Sequence, residues 1–254
     1  MIDTHAHLQD EKIQNIKVVI QDSLCAGVSA IICASSDIET SKKSVELANG
    51  YDAVYATVGV HPHDAKTFNE DTINKLQVLA KNKKVVAIGE IGLDYYYNFS
   101  SREEQRTAFI QQIDLAYKLK LPIVIHSREA TGDVMEIIRA NLKKLKYGVC
   151  IHCFNMSLEI LKEIMNYGFY ISIGGLVTFK NASNILNVVK ECDSDKLMLE
   201  TDCPYLTPVP YRSEINEPKY LVYIAEKIAE IKGISVKEVD ELTTKNAKRF
   251  FGIK

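Results

Sequence analysis

The sequence predicts an α/β protein, a closed (β/α)8 TIM barrel forming a single domain over residues 1–254. Three observations carry that expectation. Short runs of continuous apolar character recur at intervals of roughly 20 to 36 residues, the pattern of strands buried on both faces. Between them lie stretches with apolar residues at helical spacing, as the crossovers of a parallel sheet require. No linker rich in Gly, Ser or Pro breaks the chain. The turn after the first strand holds His5-Ala6-His7, where an open doubly wound sheet would carry a glycine-rich phosphate loop.

The elements follow in order. The first strand ends at His5 to His7, and Ile13, Ile16, Ile20 and Leu24 then recur at helical spacing before the strand Val28 to Ala34. Ser36 and Glu39 are a capping box for a helix reaching about Asn49, followed by the strand Ala53 to Val60. A helix near Asp71 to Asn82 leads to the strand Val85 to Gly89. Ser101 and Glu104 cap a helix striped by Phe109, Ile113 and Ala116, and Leu121 to Ile125 is the fifth strand. Helices near 131–145, 158–165 and 182–190 precede the strands 148–151, 169–173 and 196–199. Two more helices close the chain, one striped by Leu221, Ile224, Ala225, Ile228 and Ile231, the other capped by Ser235 and Glu238.

The totals exclude several classes. A net charge of -2 leaves no broad attraction to nucleic acid or anionic membranes, so a polyanionic substrate must be gripped locally. No apolar run approaches the roughly 18 residues of a membrane span, and Asp3 and His5 interrupt the place of a signal peptide. We expect a cytoplasmic protein whose six cysteines are reduced thiols. Cys150 and Cys153 form a lone CxxC, and alternation turns them to opposite strand faces.

The polar residues at the strand ends carry the chemistry. In order these are His5 and His7, His61 with His63, Glu90, His126, His152, then Glu200 and Asp202. All six histidines are spent there, at the end where barrel enzymes build active sites. His5 and His7 sit two apart and share a face of their strand, and so do Glu200 and Asp202. A mixture of imidazoles and carboxylates larger than one tetrahedral zinc needs suits two divalent ions sharing a carboxylate, for which Glu90 is the candidate. Such a pair activates water for hydrolysis, with Asp202 as the candidate base.

At these residues the chain resembles a known family, the TatD-type metal-dependent deoxyribonucleases of the amidohydrolase superfamily. The resemblance lies in Asp3-Thr4-His5-Ala6-His7, Gly59-Val60-His61-Pro62-His63, Gly89-Glu90-Ile91-Gly92-Leu93-Asp94-Tyr95, His126-Ser127-Arg128-Glu129-Ala130, His152-Cys153-Phe154 and Glu200-Thr201-Asp202-Cys203-Pro204-Tyr205-Leu206. It implies a (β/α)8 barrel with two, sometimes three, divalent ions (Mg, Mn or Zn). It also implies 3'-5' exonuclease or related phosphodiesterase activity on DNA, through a metal-activated water. By motif, His5, His7, Glu90 and Asp202 would hold one metal, and Glu90, His126 and His152 the other.

The same resemblance places His61 as a phosphate contact and Glu200 as a support for the ligands or an extra ligand. Arg128, Lys180 and Arg212 are the basic candidates for phosphate or strand contacts. Tyr95, Tyr96 and Tyr97, beside Phe99, suit either a loop packing on its own barrel or stacking on unpaired bases. Cys203 stands where the family commonly has Ser or Ala, and Glu214 lies in a loop, 210–218, that is often more basic in relatives. The expected substrate is DNA with single-stranded or frayed 3' ends, with no membrane and no obligate protein partner. The alternatives are an ester or amide hydrolase using the same site, for example on aminoacyl-tRNA, and a non-catalytic metal-holding partner protein.

Overall fold

The computed structural model describes residues 1–254. Its strands are β1 (Ile2–Ala6), β2 (Ala30–Cys33), β3 (Val54–Val58), β4 (Val85–Asp94), β5 (Ile123–Arg128), β6 (Val149–Ile151), β7 (Tyr170–Ile173) and β8 (Leu197–Leu199). Its helices are α1 (Ile16–Cys25), α2 (Ile38–Gly50), α3 (Glu70–Leu79), α4 (Arg102–Leu119), α5 (Thr131–Asn141), α6 (Leu158–Asn166), α7 (Ser183–Glu191), α8 (Leu221–Lys232) and α9 (Val236–Phe251). The sheet runs β1 to β8 in chain order, which with the alternating helices is the (β/α)8 class. Two compact units make up the chain, residues 34–151, and residues 1–33 with 152–254.

In the unit of residues 1–33 and 152–254, β1 and β2 pair in parallel through Ile2 and Ala30, and β7 and β8 through Ile171 and Leu197. Ala6 bridges to Cys203, and the N–H of His7 donates to the Cys203 carbonyl at 2.7 Å. The chain beyond β8 is thereby laid against the end of β1. Buried Asn246 on α9 donates to the carbonyls of Ser194 and Leu197, tying that helix to β8. The Ser235 and Glu238 capping box starts α9 as expected. The inward face of α1 is Val19, Ile20 and Ser23, whereas Leu24 is 42% exposed. Ser23 can face inward because its hydroxyl donates to the Val19 carbonyl at 2.6 Å.

In residues 34–151, α2 is capped by Asp37 with Thr40, not by Ser36 with Glu39 as expected. Asp37 has the extended backbone of an N-cap and its carboxylate accepts the Thr40 N–H at 2.7 Å. A charged acceptor there forms the stronger bond. The Ser101 and Glu104 box caps α4 as expected, with Phe109, Ile113 and Ala116 buried beneath it.

The larger difference is β4, which runs on to Asp94 instead of stopping near Gly89. Pairing with β5 sustains it, with Gly92 opposite His126 and Asp94 opposite Arg128. Its register shifts between Ile88 and Ile91, and Glu90 lies in that irregularity. Gly92 has φ 141°, and any Cβ there would run into the carbonyl oxygen of His126. Glu90 and His126 therefore lie within strands, not after them.

Candidate metal centre

In the unit holding β1 and β8, His5 and His7 turn to one carboxylate. Their Nε2 atoms lie 3.8 and 3.4 Å from Oδ1 of Asp202. The backbone N–H of Asp202 donates to the His5 carbonyl at 2.9 Å, so the loop after β8 is hung from β1 beside the imidazoles. Burial pushes the Asp202 carboxyl up, but its hydrogen bond to His7 and the charges of His5, His152 and His7 outweigh that and hold it below the usual carboxylate range. His152 stacks on His5, with ring centroids 4.0 Å apart.

Strand parity ends at Leu199, and Glu200 and Asp202 go to different partners. Glu200 is fully buried, and its two oxygens accept from the Cys153 N–H at 2.6 Å and the Ser172 hydroxyl at 2.5 Å. Nδ1 of His152 lies 3.6 Å from Glu200 Oε1. Cys153 has φ 45° and lies beyond the end of β6, so the alternation expected for the CxxC does not reach it.

The other unit carries a second cluster. His126 sits between two carboxylates, Nδ1 2.8 Å from Glu90 Oε1 and Nε2 3.0 Å from Asp94 Oδ2. Nε2 of His63 reaches the same Asp94 oxygen at 3.0 Å. His61 caps the 3₁₀ turn Pro62–Thr67, with Nδ1 accepting the His63 N–H at 3.2 Å. In a neutral ring that leaves the proton on Nε2, as a donor. Burial holds the His61 imidazole well below its usual range, with the Glu90 charge pulling the other way, so the neutral form prevails near pH 7.

Both clusters fit a divalent cation. The candidate ligand atoms of His5, His7 and Asp202 lie within 4.8 Å of one another, as do those of His61, Glu90 and His126, of which Glu90 and His126 are the donors while His61 keeps its proton on Nε2. Nitrogen and carboxylate oxygen donors of this kind suit zinc, manganese and their neighbours. Of the basic candidates, Arg128 is exposed and lies 3.8 Å over the Tyr96 ring. Arg212 lies 3.8 Å over Phe179 and donates to the Thr207 carbonyl at 2.8 Å, while neighbouring Lys180 is exposed.

Two carboxylates to which the sequence assigned no role prove central. Asp94 joins His63 to His126, and its other oxygen accepts the N–H of Tyr96 at 3.0 Å and of Tyr97 at 3.3 Å. Asp3 is buried beneath the first cluster and bound to Thr201. The available signal was parity, since Asp3 shares it with His5 and His7, and a carboxylate inside a buried strand needs a partner.

The profile of the TatD-related DNase family matches residues 2–252. An uncharacterized metal-dependent hydrolase of Bacillus subtilis, YabD, is 43% identical over 254 residues, covering 100% of this chain and 99% of that protein. A protein of Cronobacter sakazakii named 3'-5' ssDNA/RNA exonuclease TatD is 36% identical over 238 residues, 92% of this chain and 90% of that one. The crystal structure of the TatD homologue YjjV from Escherichia coli superposes with a TM-score of 0.94 at 26% identity, covering 100% of this chain and 98% of that chain. The (β/α)8 barrel fold is shared over the whole length.

Proposed function

For a chain that belongs to the TatD-related DNase family, and is thus a metal-dependent hydrolase, we propose deoxyribonuclease activity that removes nucleotides from the 3' ends of single-stranded or frayed DNA. The observation that supports this most is the convergence of His5 and His7 on Asp202, and of His126 on Glu90, all buried or half-buried. In this reading His5, His7, Glu90, His126, His152 and Asp202 hold two divalent ions, magnesium, manganese or zinc. Ions held there supply Lewis acidity toward a phosphodiester and lower the pKa of a nearby water.

The chain's own groups do the rest. Asp202, kept ionised by its histidine neighbours, accepts the proton of the attacking water at a carboxylate oxygen. Neutral His61 offers its Nε2–H to a phosphate oxygen. Glu200, with both oxygens taken by the Cys153 N–H and the Ser172 hydroxyl, fixes the turn that follows His152 and leaves its carboxylate 3.6 Å from the His152 ring. No helix is long and apolar enough to cross a membrane, and no disulfide joins the six cysteines. A cytoplasmic location is part of the proposal.

The test is degradation of 5'-labelled single-stranded and duplex DNA with magnesium, manganese or zinc and a chelator control. Shortening from the 3' end with release of 5'-mononucleotides, stopped by the chelator, is expected. Intact DNA together with turnover of an ester such as aminoacyl-tRNA would overturn it.

A further inference from the structure

The loop after β4 exposes three large aromatic side chains within four residues, Tyr96 at 50%, Tyr97 at 40% and Phe99 at 54%. The loop therefore packs on the barrel only in part and leaves a large share of each ring in solvent. Apolar surface gathered this way marks a place where something binds.

The rings are held, not floppy. Tyr97 and Phe99 stack with centroids 5.2 Å apart, and Tyr96 meets Tyr97 edge-on at 4.7 Å. Asp94 pins the backbone through the N–H groups of Tyr96 and Tyr97. Buried Gln105 donates to the carbonyls of Asp94 and Ser100, and the Ser100 hydroxyl donates to the His63 carbonyl. The platform is continuous with the histidine cluster, because the His63 ring lies 5.4 Å from Tyr97 and 5.0 Å from Phe99, both edge-on.

The neighbouring charge says what covers it. The Arg128 guanidinium lies 3.8 Å over Tyr96 and 5.2 Å from Tyr97, and that of Arg102 lies 4.2 Å over Tyr95. Flat aromatic faces beside guanidinium groups, on a protein of net charge -2, match a ligand that is aromatic and anionic in alternation. We propose that Tyr96, Tyr97 and Phe99 form a stacking platform for unpaired bases of a DNA strand, with Arg128 beside its phosphates. The inference rests on the nuclease reading above and gives it a substrate preference, for strands whose bases are free to stack.

The experiment compares binding, by the metal-loaded protein, of a phosphorothioate single strand carrying 2-aminopurine and an abasic strand of equal charge. The expected result is quenching of 2-aminopurine and tighter binding of the base-bearing strand. Tyr96→Ala and Tyr97→Ala should each weaken that binding about fivefold or more, as loss of one stacking partner does. The loss should vanish on the abasic strand, and Tyr96→Phe and Tyr97→Phe should restore binding. Equal affinity for the two strands, or alanine variants that bind like wild type or lose both strands alike, would overturn the platform. If the wild type cleaves DNA but shows no base preference, only the platform falls. If it neither binds nor cleaves any DNA strand, the nuclease reading falls with it.

Discussion

Asp3, fully buried, accepts two hydrogen bonds from Thr201, one from its N–H at 2.9 Å and one from its hydroxyl at 2.5 Å. The next residue, Asp202, has φ 59°, a left-handed conformation uncommon for a residue with a Cβ. Asp3 thus holds the turn that aims Asp202 at His5 and His7. Asp3→Ala is expected to weaken metal binding roughly 10–100-fold, as loss of a group orienting a ligand does. It should also cost about 1–3 kcal/mol of stability by leaving the Thr201 groups unpaired. Calorimetric titration with manganese and a thermal melt read the two effects, and unaltered affinity would refute the role.

Metal binding should be visible in stability alone. Manganese added to chelator-stripped protein at about 100 times its Kd is expected to raise unfolding stability by about 2.7 kcal/mol per site. Glu90→Gln should blunt the rise, because the carboxylate 2.8 Å from His126 loses its charge. Differential scanning fluorimetry with and without metal measures it, and a full response in the variant would remove Glu90 from the ligands.

Asp202→Asn keeps the shape of the side chain and removes the proton acceptor. We expect kcat on single-stranded DNA to fall by about 10²–10⁴ with the melting temperature little changed. Activity close to wild type would assign the base elsewhere.

Asn246 is a structural hinge-pin away from the clusters. Asn246→Ala deprives two carbonyls, those of Ser194 and Leu197, of their donor and should cost about 1–3 kcal/mol. Urea unfolding read by circular dichroism gives the value, and no loss would show that water replaces the amide.

Thiol reactivity should follow burial. Burial pushes the Cys192 thiol up to about 12 and raises that of Cys203 well above its usual range, whereas Cys25 is exposed. At pH 8 iodoacetamide should modify Cys25 first, with Cys192 and Cys203 reacting only after unfolding. Mass spectrometry of the intact protein and its peptides checks the order.

Most of the fold was legible because its signals are local. Continuous apolar runs and capping boxes at Ser101 and Ser235 act within one or two turns of chain, so they survive in a string of letters. Errors arose where neighbours outside the window decide. Ser36 and Asp37 both precede a helix, and only the backbone angles show that Asp37 is its cap. β4 ends at Asp94 because β5 pairs with it that far, and no residue after Gly89 announces this.

By itself the sequence determined the count and order of strands and put all six histidines at their C-terminal ends, since strand periodicity and turn chemistry are short-range properties. Only the tertiary structure decided which polar groups meet. Thr201 answers Asp3 across 198 positions, Asp94 gathers His63, His126 and the backbone of Tyr96, and Glu200 parts from Asp202 to serve Ser172 and Cys153. A buried carboxylate must find a donor, but which donor depends on loops closing over long stretches of chain, and chain spacing does not encode that.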